Sequence, residues 1–331
     1  MKFSIIVCAY NEETVIERCL KSLIKINFSI DQFEVLIIND GSSDQTQSIT
    51  ENFIHQNKIK NFKHIKIKHA GLSVARNAGI DNSNFDIILF IDADAVVDKN
   101  ILKAYLNTYK NNKVEFSGGK ISLLNTESKV AHFFQKTRFR QNFDKYNYKE
   151  QLIGANMSFK KQLFYEDGGF PHIFISRGDD TFIREQFLKK YNYEPSPDAI
   201  VFHERPSNFL DCLKIFYVES VNGDILNNIL DRQSQKRKIF KLFLYLSTLT
   251  FLFFWPYLII IFSVMLLLKS FKNSLLNIKN SDRSFSIVTG YTLLKILERM
   301  IKEFVFFRTF FSKKQSYSIN CPFFVREIFS K

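Results

Sequence analysis

The sequence predicts an α/β protein in which a mostly parallel sheet flanked by helices is followed by a membrane segment and an amphipathic helix. Three observations predict this organisation. Short apolar runs alternate with helical patterns through the first 120 residues, polar clusters follow the apolar runs, and an uncharged stretch covers residues 242–268. Strands that alternate with helices favour a parallel sheet, and such sheets bind ligands beyond the carboxyl ends of their strands.

Strands are predicted where short apolar runs occur, and helices where apolar residues recur every three to four positions. The predicted strands are FSIIVC, FEVLIIN, FKHIKIK, FDIILFI and AIVFHE. The predicted helices cover residues 12–26, 44–56, 71–80, 99–111, 179–191, 206–230 and 285–311. Residues 119–150, rich in Lys, Arg, Phe and Tyr, are expected to be irregular. Asp98 is expected to cap the helix that follows it.

A membrane segment is predicted at residues 242–268, because this stretch carries no charged residue. As a helix it would be ~40 Å long, against ~30 Å of bilayer hydrocarbon. Two arrangements stay open around Pro256. The length favours a single span, whereas basic residues on both flanks favour a re-entrant hairpin with both ends in the cytoplasm.

The basic charge of the chain is concentrated near this segment. The formal net charge is +13, and residues 232–331 carry 17 Lys and Arg against 4 Asp and Glu, so residues 1–231 balance at 29 of each. A basic excess that flanks a membrane segment indicates contact with anionic lipids and argues against nucleic acid. Helix 285–311 is amphipathic and is expected to lie at the membrane surface, with docking on the protein itself as the alternative.

A cytoplasmic location is expected for the bulk of the chain. The apolar start FSIIVCAY runs directly into Asn11-Glu12-Glu13 without a cleavage-site pattern, so no signal peptide is predicted. The four cysteines are scattered and form no C-x-x-C pair, which suits a reducing compartment and argues against a disulfide framework. The sequence does not indicate an oligomeric state.

A candidate metal site follows the fourth predicted strand, FDIILFI. Asp92 and Asp94 are two residues apart, so an extended backbone would direct both carboxylates to one face. Carboxylate oxygens suit Mg²⁺ or Mn²⁺, which also bind phosphate oxygens. The alternative is a solvated turn. His203 ends a later strand and could add a third contact to metal or phosphate.

Other polar residues lie at the same expected edge of the sheet. Asp40 follows the second strand, where it could accept a hydrogen bond from a base or a ribose hydroxyl, or form an Asp-Gly turn. Arg76 could neutralise a phosphate or fix Asp92. Asp179 and Asp180 open a helix, where they could act as caps or supply a general base for an attacking hydroxyl.

Together and in this order, these blocks resemble glycosyltransferase family 2, inverting enzymes that use nucleotide sugars and have the GT-A fold. The matching stretches are SIIVCAYNEE, VLIINDGSSDQT, GLSVARNAGI, ILFIDADAVVD, GANMSF, GGF and GDDTFI. The resemblance covers about residues 3–205. It implies a catalytic domain at 1–231, with a nucleotide-binding half at 1–118 and an acceptor half at 119–231. A basic linker (232–241), the membrane segment (242–268) and a basic amphipathic region (269–331) follow.

The resemblance also implies roles for individual residues. Donor binding would fall to Ala9, Tyr10, Glu12, Asp40, Arg76, Asp92 and Asn156. The metal ligands would be Asp94, Asp92 and His203, holding Mg²⁺ or Mn²⁺ on the diphosphate. The family often has Glu-Asp where this chain has Asp179-Asp180, so the base is assigned to Asp180, the second member.

The expected function is transfer of a sugar from a nucleotide sugar, with a UDP-sugar favoured, to a hydroxyl of a lipid-linked or cell-surface glycan. Two alternatives stay open. The chain could make a polyprenyl-phosphate sugar, whose phosphate acceptor needs less base catalysis, or it could bind nucleotide sugars at a membrane without catalysis. The complete set of carboxylates argues against the second alternative.

Overall fold

The computed structural model describes residues 1–138, 154–172, 178–229 and 285–311, together with 264, 265, 267–269 and 271. Two compact units can be distinguished by the contacts within them. Among the described residues, the first unit comprises 1–125, 154–172 and 178–204, and the second comprises 126–138, 205–229 and 285–311. The predicted domain limits remain predictions.

The first unit is built on an eight-stranded sheet with the order β3-β2-β1-β4-β7-β6-β8-β5. The strands are β1 (Phe3–Ala9), β2 (Phe33–Asn39), β3 (Phe62–Lys66), β4 (Ile87–Asp92), β5 (Ala95–Val97), β6 (Phe116–Leu123), β7 (Asn156–Lys160) and β8 (Ser196–His203). The first six helices of the chain are α1 (Ile16–Leu23), α2 (Thr46–Gln56), α3 (Leu72–Asn82), α4 (Ile101–Tyr109), α5 (Lys129–Arg138) and α6 (Gln162–Asp167). The remaining helices are α7 (Asp179–Lys190), α8 (Phe209–Ile229) and α9 (Phe285–Phe311).

The sheet is mixed, so the expectation of a mostly parallel sheet was wrong for its second half. Strands β1–β4 pair in parallel, and β6 pairs in parallel with β8. In contrast, β7 runs antiparallel to both β4 and β6, and β5 runs antiparallel to β8. The prediction rested on the strand–helix alternation of the first 120 residues, and the antiparallel strands β5 and β7 were not among the predicted strands.

The core of the sheet forms because its central strands are apolar on both faces. Every residue of β2 is buried, and β1 and β4 have one partly exposed residue each. Helix α1 covers this core through Ile16, Cys19, Leu20 and Leu23, all fully buried at helical spacing. Burying a side chain of this size stabilises the fold by ~1.5–3 kcal/mol.

The region expected to be irregular, residues 119–150, contains regular structure. Residues 119–123 belong to β6, and 129–138 form α5; residues 139–153 lie outside the described part. Strand β6 was missed because its sequence, FSGGKISL, contains two glycines and little alternation. Its extended conformation is instead stabilised by pairing with β7 on one side and β8 on the other.

The described part of the second unit contains three helices, α5, α8 and α9. One face of α9 packs on α5 and α8, where Leu294 joins Phe134, Cys212 and Phe216 in a small buried cluster. The helix has the predicted bounds. It is docked on the protein along this face, as the alternative interpretation predicted, whereas its exposed side shows Leu293, Met300 and Phe304.

The predicted membrane segment, 242–268, lies outside the described residues except for 264, 265, 267 and 268. In the part of the chain that the structure describes, no helix is both long enough and apolar enough to cross a bilayer.

Candidate active site

The candidate site lies at the carboxyl ends of the parallel strands. The register pairs Cys8 of β1 with Ile38 of β2 on one side and with Asp92 of β4 on the other. The residues that follow these strands therefore meet at one edge of the sheet. The short strand β5 then pairs antiparallel with β8, with Ala95 opposite His203. This pairing brings His203 to the Asp92–Asp94 turn from more than 100 residues away in sequence.

Asp92, Asp94 and His203 form a cluster that could hold a metal ion, as predicted. One ligand atom from each residue lies within 4.8 Å of the others. The Nε2 atom of His203 is 3.4 Å from Asp92 Oδ2 and 3.3 Å from Asp94 Oδ1. Its Nδ1 atom is 2.6 Å from the carbonyl oxygen of Glu204, so Nδ1 is assigned as the protonated nitrogen that donates to it. Nε2 then carries the lone pair that a metal would need.

Negative charge accumulates around this cluster. Burial, together with the charges of Asp94, Asp92 and Asp44, raises the pKa of Glu12 to about 7. The backbone N–H of Glu12 donates to Thr46 Oγ1 at 2.7 Å, which fixes the loop after β1 beside the cluster. A cation bound by Asp92 and Asp94 would relieve this repulsion.

The donor set fits a divalent cation. Two carboxylates and one imidazole supply oxygen and nitrogen ligands, and a first-row transition ion such as Mn²⁺ accepts both kinds. Mg²⁺ prefers oxygen ligands alone, so His203 favours Mn²⁺ where all three residues act as ligands.

Arg76 lies at the centre of a buried ion network. Its side chain is 3% exposed, and its Nη1 atom donates to Asp179 Oδ2 at 2.5 Å. Its Nη2 atom is 3.6 Å from Asp92 Oδ1. Of the two predicted roles for Arg76, this placement supports the fixing of Asp92. A contact with phosphate stays a prediction. Despite burial, the neighbouring charges of Asp179 and Asp92 raise the pKa of Arg76, so it stays protonated.

The two adjacent carboxylates of α7 have different environments. Asp179 is 1% exposed and bound to Arg76, so the candidate catalytic role for Asp179 is not supported. Burial and the proximity of Asp180 raise the pKa of Asp179, although Arg76 opposes this shift. Asp180 is partly exposed; its Oδ2 accepts the Gly154 N–H at 3.0 Å and its Oδ1 the Thr181 N–H at 2.6 Å. These bonds orient Asp180 and leave lone pairs for a further donor.

Asp40 shapes the loop between β3 and α3. It is 3% exposed, and its two carboxylate oxygens accept the backbone N–H groups of Ala70 and Gly71 at 2.8 and 2.9 Å. The Nδ1 atom of His69 lies 3.0 Å from Asp40 Oδ2. These contacts hold a distant loop and differ from the Asp-Gly turn considered from the sequence. A contact with a nucleotide base stays a prediction.

His69 is a site residue that the sequence did not indicate. Its ring stacks on Tyr10, with ring centres 4.0 Å apart and an interplanar angle of 18°. Tyr10 is 45% exposed, so the stacked pair presents an aromatic surface beside Asp40. The polar cluster after the third predicted strand was taken to begin at Ala70, one residue after His69. The position of His69 directly after that strand could have identified it as a site residue.

Ala9 and Asn156 are positioned through backbone and buried contacts. The carbonyl of Ala9 accepts the N–H of Asp40 at 2.9 Å, which joins the ends of β1 and β2. Asn156 is fully buried; its Oδ1 accepts the Tyr105 hydroxyl, and its Nδ2 donates to the carbonyls of Lys120 and Ala199. Its side chain thus joins strands of the sheet, which does not support the predicted contact with a donor.

The chain matches two family models. The model described as glycosyl transferase family 2 matches residues 4–168, and the model described as glycosyl transferase family group 2 matches residues 87–294. The second match covers more than half of the chain.

Two curated relatives show the extent of the similarity. Glycosyltransferase AglE of Haloferax volcanii is 27% identical over 240 residues, which is 71% of this chain and 76% of AglE. The poly(ribitol-phosphate) beta-N-acetylglucosaminyltransferase TarS of Staphylococcus aureus is 35% identical over 258 residues, which is 68% of this chain but 41% of TarS. This chain therefore spans less than half of TarS.

Solved structures share the fold. The mannosyltransferase PcManGT from Pyrobaculum calidifontis, in complex with GDP-Man and Mn²⁺, aligns with a TM-score of 0.57 at 17% identity, over 71% of this chain and 65% of that chain. S. aureus TarS 1-349 in complex with UDP-GlcNAc aligns with a TM-score of 0.51 at 22% identity, over 67% of this chain and 66% of that chain. The family matches, together with this fold, show that the chain belongs to glycosyltransferase family 2.

Proposed function

We propose that the protein transfers a sugar from a nucleotide sugar to a hydroxyl group of a glycan, with inversion at the anomeric carbon. The observation that carries the proposal is the cluster of Asp92, Asp94 and His203 at the carboxyl ends of the strands, with Asp180 oriented at the start of α7. UDP-sugars are the favoured donors because TarS was solved with UDP-GlcNAc, although PcManGT was solved with GDP-Man.

In the proposed reaction, the acceptor oxygen attacks the anomeric carbon as the bond to the diphosphate breaks. Asp180 accepts the proton of the acceptor hydroxyl, and the hydrogen bonds from Gly154 and Thr181 hold its carboxylate in place. Asp92, Asp94 and His203 would hold a divalent cation. When bound, this cation supplies positive charge that stabilises the departing nucleoside diphosphate. The Tyr10–His69 pair offers a surface on which the base could stack.

A donor screen tests the proposed activity. Purified protein with Mn²⁺ is supplied with UDP-GlcNAc, UDP-glucose or GDP-mannose, and release of nucleoside diphosphate is measured. We expect Asp94→Asn to lower turnover by on the order of 10²-fold or more. Asp198→Asn is the matched control, since Asp198 is an exposed residue of the same strand as His203. The proposal fails when no donor is turned over and Asp94→Asn binds UDP with Mn²⁺ as tightly as the unaltered protein.

The acceptor is proposed to be lipid-linked or a cell-surface glycan, and the protein is proposed to be membrane-associated with its catalytic part in the cytoplasm. The uncharged stretch 242–268 and the basic excess of residues 232–331 support association with an anionic bilayer. Alkaline carbonate extraction of membranes from expressing cells tests this: a membrane segment resists extraction, and complete release of the protein contradicts it.

Asp180→Asn separates the proposed reaction from the alternative with a phosphate acceptor. A hydroxyl acceptor requires the base, so turnover should fall sharply, whereas a polyprenyl phosphate already carries a negative oxygen. Retained transfer to polyprenyl phosphate by Asp180→Asn would favour the alternative.

A further inference from the structure

We infer that Arg76 is a positioning residue that couples the metal-binding carboxylate Asp92 to the start of α7, where Asp180 lies, with Asp179 as its buried counter-ion. This inference rests on the proposed function. It names the ion network that aligns the metal-binding residues with the general base. Arg76 itself is 3% exposed and acts through the carboxylates that it holds.

One guanidinium contacts carboxylates from two separate elements. Nη1 donates to Asp179 of α7 at 2.5 Å, and Nη2 is 3.6 Å from Asp92 at the end of β4. A planar guanidinium can direct different nitrogens at different carboxylates at once, whereas the single ammonium of lysine acts as a point charge. The separation between β4 and α7 at the site is therefore tied to the geometry of one side chain.

The surroundings of Arg76 restrict it to this position. Its guanidinium carbon lies 5.7 Å from the ring centre of Phe90 and 5.4 Å from that of Phe170. Phe170 is held in turn by Asn77, whose Oδ1 accepts its N–H at 2.7 Å and whose Nδ2 donates to its carbonyl at 2.8 Å. Consecutive residues of α3 thus contact α7 and the loop that precedes it.

Gly154 connects this network to Asp180. Its backbone N–H donates to Asp180 Oδ2 at 3.0 Å, and a Cβ atom added to it would collide with Nη2 of Arg76. The guanidinium and the Asp180 carboxylate therefore both lie against one residue that has no side chain. A shift of Arg76 would displace both Asp92 and the donor that orients Asp180.

Three variants test the coupling, and each leaves the metal ligands and Asp180 in place. Asp179→Asn removes the counter-ion of Arg76. Arg76→Lys keeps the positive charge but removes the planar group that contacts Asp179 and Asp92 through different nitrogens. Gly154→Ala keeps every charge but displaces the guanidinium. Asp167→Asn is the matched control: it breaks the 2.6 Å ion pair between the mostly buried Asp167 and Lys190, at the other end of α7.

The readouts are kcat, the KM for the donor, and the affinity for Mn²⁺ in the presence of UDP. Electron paramagnetic resonance measures the Mn²⁺ affinity, and every measurement is made below the melting temperature of the variant. We expect Asp179→Asn and Gly154→Ala to lower kcat by on the order of 10²-fold, since a misplacement of ~1 Å has an effect of this size, with the KM for the donor changed less than about threefold. Arg76→Lys should also weaken Mn²⁺ binding by about 10–100-fold, the usual effect of losing a residue that orients a metal ligand.

The inference is overturned when all three variants match Asp167→Asn in kcat and in Mn²⁺ affinity, whatever their melting temperatures. Failure of the proposed function gives a different result, in which the unaltered protein turns over no donor. In that case the Mn²⁺ affinity of Arg76→Lys still decides the inference, because weaker binding supports the coupling and equal binding refutes it.

Discussion

Replacing Arg76 with methionine leaves Asp179, which is 1% exposed, without its cation. Breaking a buried ion pair on one side costs about 3–5 kcal/mol. The contact with Asp92 adds less, since it is longer, at 3.6 Å, and that carboxylate is 33% exposed. The cation–π contacts with Phe90 and Phe170 are lost, but a methionine sulfur packs against aromatic rings with a similar gain of ~0.3–1.5 kcal/mol each. The expected loss is therefore about 3–5 kcal/mol.

Urea unfolding followed by circular dichroism measures this loss, and a thermal melt should show a decrease of roughly 6–20 °C. A double-mutant cycle isolates the pair. Combining Arg76→Met with Asp179→Asn should cost less than the two single changes added together, by about 1–3 kcal/mol, because the double variant buries neither charge alone. Single losses below about 1 kcal/mol that simply add would refute a buried Arg76–Asp179 pair.

The remaining predictions concern Glu34, Gly41 and Asn156 in the first unit and Gly223 in the second. Burial raises the pKa of Glu34, but hydrogen bonds from Asn84, Ser4 and Lys63 outweigh burial and hold this pKa below its ordinary value of 4.5. Glu34→Gln should therefore lower the melting temperature above pH 4.5. The difference in melting temperature between the variant and the unaltered protein should shrink as the pH falls below that value. Gly41→Ala should cost ~1–3 kcal/mol in urea unfolding, since Gly41 has φ +66° and its Cβ would lie 2.7 Å from the backbone nitrogen of His69. Gly223→Ala, in α8 with open space around it, should instead stabilise by ~0.5–1 kcal/mol. Asn156→Ala should cost ~1–3 kcal/mol because it removes the shorter hydrogen bond of the buried Tyr105 hydroxyl and the side-chain donor to two carbonyls. A neutral result in urea unfolding would contradict that network.

The parts of the fold that local sequence could predict are those with strong patterns. Strand β2 has the predicted bounds, and α9 matches residues 285–311. Asp98 accepts the N–H of Asn100 at 2.8 Å in the turn before α4. Asn100 is the N-cap and no side chain caps this helix, so the expected cap by Asp98 was wrong. Strands β5–β7 were not predicted, because their short or glycine-containing sequences form strands only through pairing with distant segments.

The family and the metal-side carboxylates could be predicted from the amino-acid sequence alone. Asp92 and Asp94 lie two residues apart at the end of an apolar strand, and the backbone alone brings such residues to one site. The contacts that join these carboxylates to the rest of the site could be seen only in the tertiary structure. Asp179 binds Arg76 across 103 residues of sequence, and His69 reaches Asp40 across 29. Contacts between distant residues depend on how helices and loops pack around the sheet, and a local pattern does not contain that information. For the same reason, the sequence could not tell that Asp179 is a counter-ion while its neighbour Asp180 remains accessible at the site.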